Sequence, residues 1–191
     1  MQKDLLSSLS SLLHQSDVME IITQTATELG ALLHLPKKTL LVKEGERLSH
    51  LYLLKEGAVK TYYHHEGSVV VTGFTFEREP IPIRFADKEM QTSAETVEVI
   101  EDVAVLKLPY AQIVEKVVTD HKISLMALAA VNHFLLLAQT RIDSFQAKNA
   151  KERYLHLMNT RPQLLNRVKL ADIASYLGIS QVSLSRIRAQ I

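Results

Sequence analysis

The chain has 191 residues, 47% hydrophobic and 23% charged, with a formal net charge of +1, which suits one large domain or two modest ones around a real core. It contains no cysteine, which excludes disulfides, thiolate catalysis, Cys-ligated zinc and cysteine-held iron–sulfur clusters. Its six glycines form no GxGxxG or GxxxxGK pattern, so the glycine-rich phosphate loops of nucleotide-handling enzymes are missing as well.

The net charge hides a division. Residues 148–191 hold eight Lys and Arg against Glu152 and Asp172, a net +6, which leaves fourteen cations against nineteen acids, a net −5, in residues 1–147. A basic C-terminal segment on an acidic body points to a nucleic-acid contact at that end.

In chain order, "MQKDLLSSLSSLLHQ" reads as an amphipathic helix rather than a signal peptide, since an acid follows the early Lys and no small-residue cleavage site is present. No run approaches the ~20 apolar residues of a membrane span, so a cytoplasmic protein with no membrane partner is expected. "SDVMEIITQTATEL" carries a capping pattern, Asp17 with Glu20, and reads as a second helix. From Ala31 the texture becomes β-rich: "ALLHL", "TLLVKEG", "LYLLKEG", "AVKTYYHHEG" and "SVVVTGFTF", with Gly45, Gly57 and Gly67 between runs. Short strands with regular turn signals predict an antiparallel sandwich or roll. "ETVEVI" and "VAVLKL" continue it after a less regular stretch at 77–94.

Pro109 then opens a helix, "PYAQIVEKVV", as proline at a first helical position would. A longer helix, about His121 to Phe145, has no Gly or Pro, and Leu128, Val131, Leu135, Ala138, Ile142 and Phe145 recur at 3-4-3-4-3 spacing, a coiled-coil seam. A second stripe, Ile123, Met126, Ala127, Ala130, Phe134 and Leu137, lies on another face, and a helix apolar on two sides must be covered on two sides. The expectation is a roll under the second stripe and a partner subunit against the seam. The other reading is a single buried core helix in a monomer. "AKNAKERYLHLMNTRP" is a further helix closed by Pro162.

The ending, "LADIASYLGISQVSLSRIRAQI", meets the steric demands of a helix-turn-helix. Ala174 is the small residue at the crossing, and Gly178 four residues later supplies the positive φ of a tight turn. Ile173, Leu177, Ile179, Leu184 and Ile187 pin the helices together, and Ser180 is placed to cap the second. Gln181, Val182, Ser183, Ser185, Arg186 and Arg188 then form an outward face of groove-compatible chemistry, with Lys169 as a phosphate contact.

The order of acidic roll, long helix and C-terminal helix-turn-helix resembles the Crp/Fnr transcription regulators. The resemblance covers nearly all residues, strongest in "AKERYLHLMNTRPQLLNRVKLADIASYLGISQVSLSRIR" and weaker in "KKTLLVKEGERLSHLYLLKEGAVKTYY". It implies an α+β chain divided into a jelly-roll-like effector domain with flanking helices (1–120), a dimerisation helix (121–147) and a DNA-binding domain (148–191). It further implies a homodimer on palindromic double-stranded DNA, with RNA polymerase as a further partner and a small effector, unidentified, in the roll. Gln181, Val182 and Arg186 fall on the family's base-reading positions. Val182 stands where cyclic-AMP-responsive members carry Glu, which implies a different operator. Many members add a β-hairpin wing after this helix, and the sequence stops at Ile191, which predicts a winged-helix-like motif without its wing.

Cyclic-nucleotide-binding members carry a Gly-Glu pair and then Arg-Ser-Ala or Arg-Thr-Ala, the Arg pairing with the phosphate. This chain reads "EREPIPIRFADKEMQTSAETVEV", without Gly-Glu and with Thr92 before Ser93 and Ala94. A degenerate pocket around Arg84, Thr92 and Ser93 that binds no cyclic nucleotide is expected, with Arg78 and Arg84 as solvated surface residues. His64 and His65 are adjacent on a strand and point to opposite faces, His133 reads as a packed or interface residue, and His50 and His121 have no partner at metal spacing. No metal and no cofactor are assigned. Two other classes compete. A cupin-like enzyme needs converging His and carboxylate ligands, and an interaction module would keep the fold without DNA binding.

Overall fold

The computed structural model describes residues 24 and 27–190, apart from the side chains of Met126 and His133. The two helices expected before residue 30 lie outside the described residues, save that 24 and 27–29 are helical.

Each β-rich run becomes a strand: β1 (Ala31–Leu35), β2 (Leu40–Val42), β3 (His50–Glu56), β4 (Val59–His65), β5 (Ser68–Thr75), β6 (Thr96–Val99) and β7 (Val103–Pro109). All pair antiparallel, in a three-stranded sheet of order β1-β7-β3 and a four-stranded sheet of order β2-β6-β4-β5. Gly45, Gly57 and Gly67 take φ of +80, +88 and +76°, as the turn readings require. Gly57 has a second reason to be glycine, because a Cβ there would lie 2.4 Å from the Asp102 carbonyl oxygen. Between the sheets, Val42, Leu54, Val59, Val97, Val99 and Val105 form a buried core. Alternation along each strand sends these branched side chains to one face.

The helices are α1 (Tyr110–Thr119), α2 (His121–Ala147), α3 (Ala150–Thr160), α4 (Leu164–Arg167), α5 (Leu170–Tyr176) and α6 (Gln181–Arg188). Pro109 is not the first helical residue as expected. It ends β7 and serves as the N-cap of α1. Asp120 caps α2 by accepting from the Lys122 and Ile123 amides, and Asn149 with Glu152 forms a full capping box on α3. That Asn-x-x-Glu signal is legible in the sequence.

A second core is shared between the sheets and the C-terminal helices. Ala58, Val71, Phe74, Phe76 and Ile100 join Tyr154, Leu157, Leu164, Val168, Ile173, Ala174, Leu177 and Leu184 in one buried cluster. Polar contacts rim it. Arg167 donates to Glu77 (Nη1–Oε2 3.0 Å) and to Glu101 (Nε–Oε1 3.1 Å). Lys60 lies 3.3 Å from Asp172 and 3.5 Å from Glu98, and Arg161 donates to the Phe74 carbonyl at 2.9 Å. Ser175 on α5 donates to the Val69 carbonyl at 2.9 Å and accepts from the Val71 amide at 3.0 Å. The charge division of the sequence is thus partly spent inside the molecule.

The long helix departs from expectation. Its main neighbour is α1 rather than the sheets. Among its described side chains only Ala129 is buried. In the stripe assigned to the roll, Ile123, Ala127, Ala130 and Phe134 are half-buried and Leu137 is exposed. Leu128, Val131, Leu135 and Ile142 are 64, 63, 54 and 55% exposed, so among the described residues the seam is open to solvent. By length and composition α2 is long and apolar enough to cross a membrane, which corrects the expectation that no such run exists.

Arg167 generates a pH prediction. Its hydrogen bonds to Glu77 hold that carboxyl below the usual carboxylate range. A depressed folded-state pKa contributes stability that is present above the unfolded value and is lost as pH falls through the folded one. Urea midpoints of the wild type should therefore fall on acidification below about pH 4.5, where an unpaired Glu is half protonated and the paired Glu77 is still ionised. The fall should be shallower for Glu77→Gln. Parallel curves would show that this pair does not hold the C-terminal helices.

Candidate nucleic-acid interface

The last two helices are held by local rules and by one distant residue. α5 ends at a turn in which the Gly178 amide donates to Ser175 O and the Ile179 amide to Ala174 O, both at 3.0 Å. Gly178 has φ +67°, and a Cβ there would meet Phe145 Cε1 at 2.9 Å. Glycine is therefore required both for the left-handed turn and for the close approach of the long helix. Ser180 caps α6 by accepting from the Ser183 amide at 3.1 Å. Ile173, Ala174, Leu177 and Leu184 are buried, with Ile179 and Ile187 packed against them.

The apolar positions of α6 thus face inward, and the rest follows from the helical period. Gln181, Ser185 and Arg188 share one ridge of α6, Val182 and Arg186 the next, and all five are exposed, Val182 at 61%. Ser180 and Ser183 differ from the remainder of the expected face: their hydroxyls lie 2.9 Å apart within the cap. Lys169 is exposed at the N-cap of α5.

Of the eight cations in residues 148–191, three serve the fold. Arg161 and Arg167 bind the sheet body. Arg153 donates to the Lys148 and Leu177 carbonyls (2.7 and 3.1 Å) and stacks 4.8 Å over the Phe145 ring. Lys151, Lys169, Arg186 and Arg188 remain at the surface.

The seam residues Leu128, Val131, Leu135, Ala138 and Ile142 are outward and uncovered. Phe145 differs, since one edge of its ring meets Gly178 and its faces meet Arg141 and Arg153. Sequence reasoning missed Arg141 and Arg153. The available signal was Arg141 as the first charge after the uncharged stretch 123–140 of an apolar helix.

The residues expected to line an effector pocket satisfy one another. Arg84 pairs with Glu95 (3.2 Å), which is 6% exposed, and lies 5.2 Å over the Tyr63 ring. It is thus the surface residue expected, its side chain 55% exposed, with an acid as partner. Ser93 is buried, donating to Glu95 O at 2.7 Å. Thr92 bonds Asp87 through its hydroxyl and, at 2.8 Å, its amide, while the Gln91 amide reaches the same carboxylate at 2.9 Å. The Thr92 hydroxyl, then the Gln91 amide, hold the Asp87 carboxyl below its usual range. An incoming phosphate would thus meet a carboxylate at Thr92 and an already engaged guanidinium at Arg84. Two open clefts of about 380 and 360 Å³ lie elsewhere, one beside Pro36 and Asp102, one beside Gln112 and Thr119.

The His64 ring nitrogen lies 3.2 Å from Glu44, while His50 pairs with Ser49 at 2.8 Å. Among the described residues no three His, Asp or Glu side chains converge as metal ligands would.

Residues 32–120 match the family model of the cyclic nucleotide-binding domain. No curated protein matches the chain in sequence. Among solved structures it is similar to FixK2 from Bradyrhizobium japonicum, at 18% identity over 85% of this chain and 84% of that one, with a TM-score of 0.70. It is similar also to CLP of Xanthomonas campestris, a global regulator responsive to c-di-GMP, at 15% identity over 88% and 89%, with a TM-score of 0.70. The catabolite activator protein of Thermus thermophilus matches at 16% identity over 88% and 81%, with a TM-score of 0.52. Over residues 32–120 the chain is thus similar to cyclic nucleotide-binding domains, and as a whole it has the fold shared by these solved structures.

Proposed function

We propose that the chain is a homodimeric, sequence-specific DNA-binding transcription regulator of the Crp/Fnr type that does not respond to cyclic nucleotides. The observation that carries this reading is α6. Leu184 is buried with Ile187 packed against the same cluster, and Gln181, Val182, Ser185, Arg186 and Arg188 form one exposed face free of acids. Arg pairs with guanine, Gln with adenine and a Val methyl with thymine in the major groove. Lys169 beside this face, at the start of α5, supplies a phosphate contact, which positions without specifying.

A dimer supports the same reading. The seam of α2 leaves four large aliphatic side chains more than half exposed, and burying each contributes about 1.5–3 kcal/mol. Two copies along a common axis would cover the stripe and present two α6 helices to successive major grooves of a palindrome. The pairing of Arg84 with Glu95 and of Thr92 with Asp87 supports an effector region closed to cyclic phosphates. A second reading, an interaction module that has lost DNA binding, is favoured by the use of Arg161 and Arg167 inside the fold. RNA polymerase is the partner such a module would retain.

Three measurements test this. Replacing Leu135 and Ile142 together by Asp would place carboxylates in the apolar seam, a cost of several kcal/mol, and should give monomers in analytical ultracentrifugation. An unaltered dimer would place the interface elsewhere. Titration calorimetry with cyclic AMP or cyclic GMP should give no micromolar heat, and a saturating one would overturn the closed-pocket reading.

DNA reading is tested by fluorescence anisotropy on duplexes selected from a random pool. Arg186→Ala should weaken the selected duplex about tenfold or more, from the ~1–3 kcal/mol of a bidentate base contact. It should also relax preference at one base pair per half-site. Lys169→Ala should weaken all sequences alike and reduce the salt slope by about one phosphate. Failure of the wild type to select any duplex would favour the interaction module.

A further inference from the structure

β5 is the outer strand of its sheet, so one side of its backbone has no strand to pair with, and such groups need partners. The register with β4 passes from Thr61↔Gly73 to Tyr62↔Val71, which leaves Thr72 as the extra residue of a bulge. The carbonyl of Thr72 accepts from Nη1 of Arg141 at 2.9 Å. Nη2 of the same guanidinium lies 3.2 Å from the Tyr176 carbonyl at the end of α5 and 3.5 Å from Val71 O. The guanidinium also stacks 4.2 Å over the Tyr176 ring and 5.3 Å from the Phe145 ring. One side chain of the long helix therefore touches the sheet bulge, the C-terminal end of α5 and the aromatic ring that abuts Gly178.

We propose that Arg141 is a positioning residue for DNA reading: it clamps the β5 bulge and the end of α5 together, so that α6 keeps one orientation relative to the long helix and the sheet body. The proposal rests on the DNA-binding reading above for its purpose, but the clamp itself can be measured without DNA. A planar fork with several donors in fixed geometry can hold carbonyls from two elements at once. Lysine, a point charge with rotatable donors on a flexible stem, holds them in no fixed geometry. In a dimer the clamp sets the separation and the relative rotation of the two reading helices. One added base pair moves a half-site by ~3.4 Å and turns it by about 34°, so a rigid pair should reject operators of altered spacing, and a loosened pair should accept them.

The experiment uses the full chain, whose lack of cysteine allows clean labelling. Lys55→Cys on β3 and Ser185→Cys on α6, both exposed, carry spin labels. Labelled protein diluted with unlabelled chain gives the distance from sheet body to α6 within one protomer. The wild-type background should give one narrow distribution, and Arg141→Gln at least a twofold broader one. Arg141→Lys keeps the charge and the helix propensity, serves if the Gln variant fails to fold, and should broaden likewise. Unlabelled proteins are then compared on a selected duplex and on versions with half-sites one base pair closer or farther. The wild type should lose at least tenfold in affinity, and the Arg141 variants less than threefold between spacings. A narrow distribution in both variants overturns the clamp, as does spacing discrimination equal to that of the wild type. A wild type that selects no DNA overturns the DNA-binding reading instead and leaves the distance measurement to decide on the clamp.

Discussion

The structure depends on how the open edge of β5 is closed. No strand covers that edge, and unpaired amides and carbonyls there would be both costly and a template for aggregation. Ser175 supplies a donor and an acceptor to Val69 and Val71, Arg141 reaches Thr72, and Arg161 reaches Phe74. Each comes from a helix that follows the sheets in sequence. The helices are thereby seated against β5, and the cluster of Val71, Phe74, Phe76, Leu164, Ile173 and Leu177 fills the space beneath them. With one side of α5 and α6 buried in this way, the polar face of α6 has only one direction left to point.

The same seating explains the charges. Where the acidic body meets the basic tail, Arg167 of the tail lies between Glu77 and Glu101 of the body, and with the signs reversed Lys60 of the body lies between Asp172 of the tail and its own neighbour Glu98. Surface pairs of this kind contribute little individually, but these sit at the rim of a buried cluster and set its register. The cations left at the surface include Lys151, Lys169, Arg186 and Arg188. A count of charges by segment overstates the charge that the C-terminal end presents to solvent, because it does not separate the two groups.

Self-pairing also governs the stretch between β5 and β6. The guanidinium of Arg84 and the carboxylate of Asp87 each bind groups of the same loop. The bridge Leu53↔Pro80 holds that loop to β3, Arg47↔Thr92 holds it to the segment before β3, and Phe85↔Ser93 closes the loop on itself. The opposite holds along α2, where aliphatic side chains are turned outward with nothing among the described residues to cover them. One surface has internal partners and the other lacks them among the described residues.

The sequence by itself determined the local elements. Seven short β-rich runs between glycines became seven antiparallel strands. The long run without Gly or Pro became α2, and Ala174, Gly178 and Ser180 marked the helix, turn and cap of the ending. Periodicity and steric demand act over a few residues, so they are legible in one dimension. The expected cover for the stripe Ile123 to Leu137 was not legible, nor were the diversion of Ser183 into a cap, the retention of Arg153, Arg161 and Arg167 by the fold, or the meeting of Arg141 with Thr72. The contacts of Arg141, Arg161 and Arg167 join groups 35 to 90 positions apart along the chain, as in Arg141 with Tyr176 and Arg167 with Glu77. Only the tertiary structure decides which cation finds a carbonyl or carboxylate at such a distance and which is left to face solvent, because that choice follows from where the open sheet edge lies and not from any residue's neighbours in sequence.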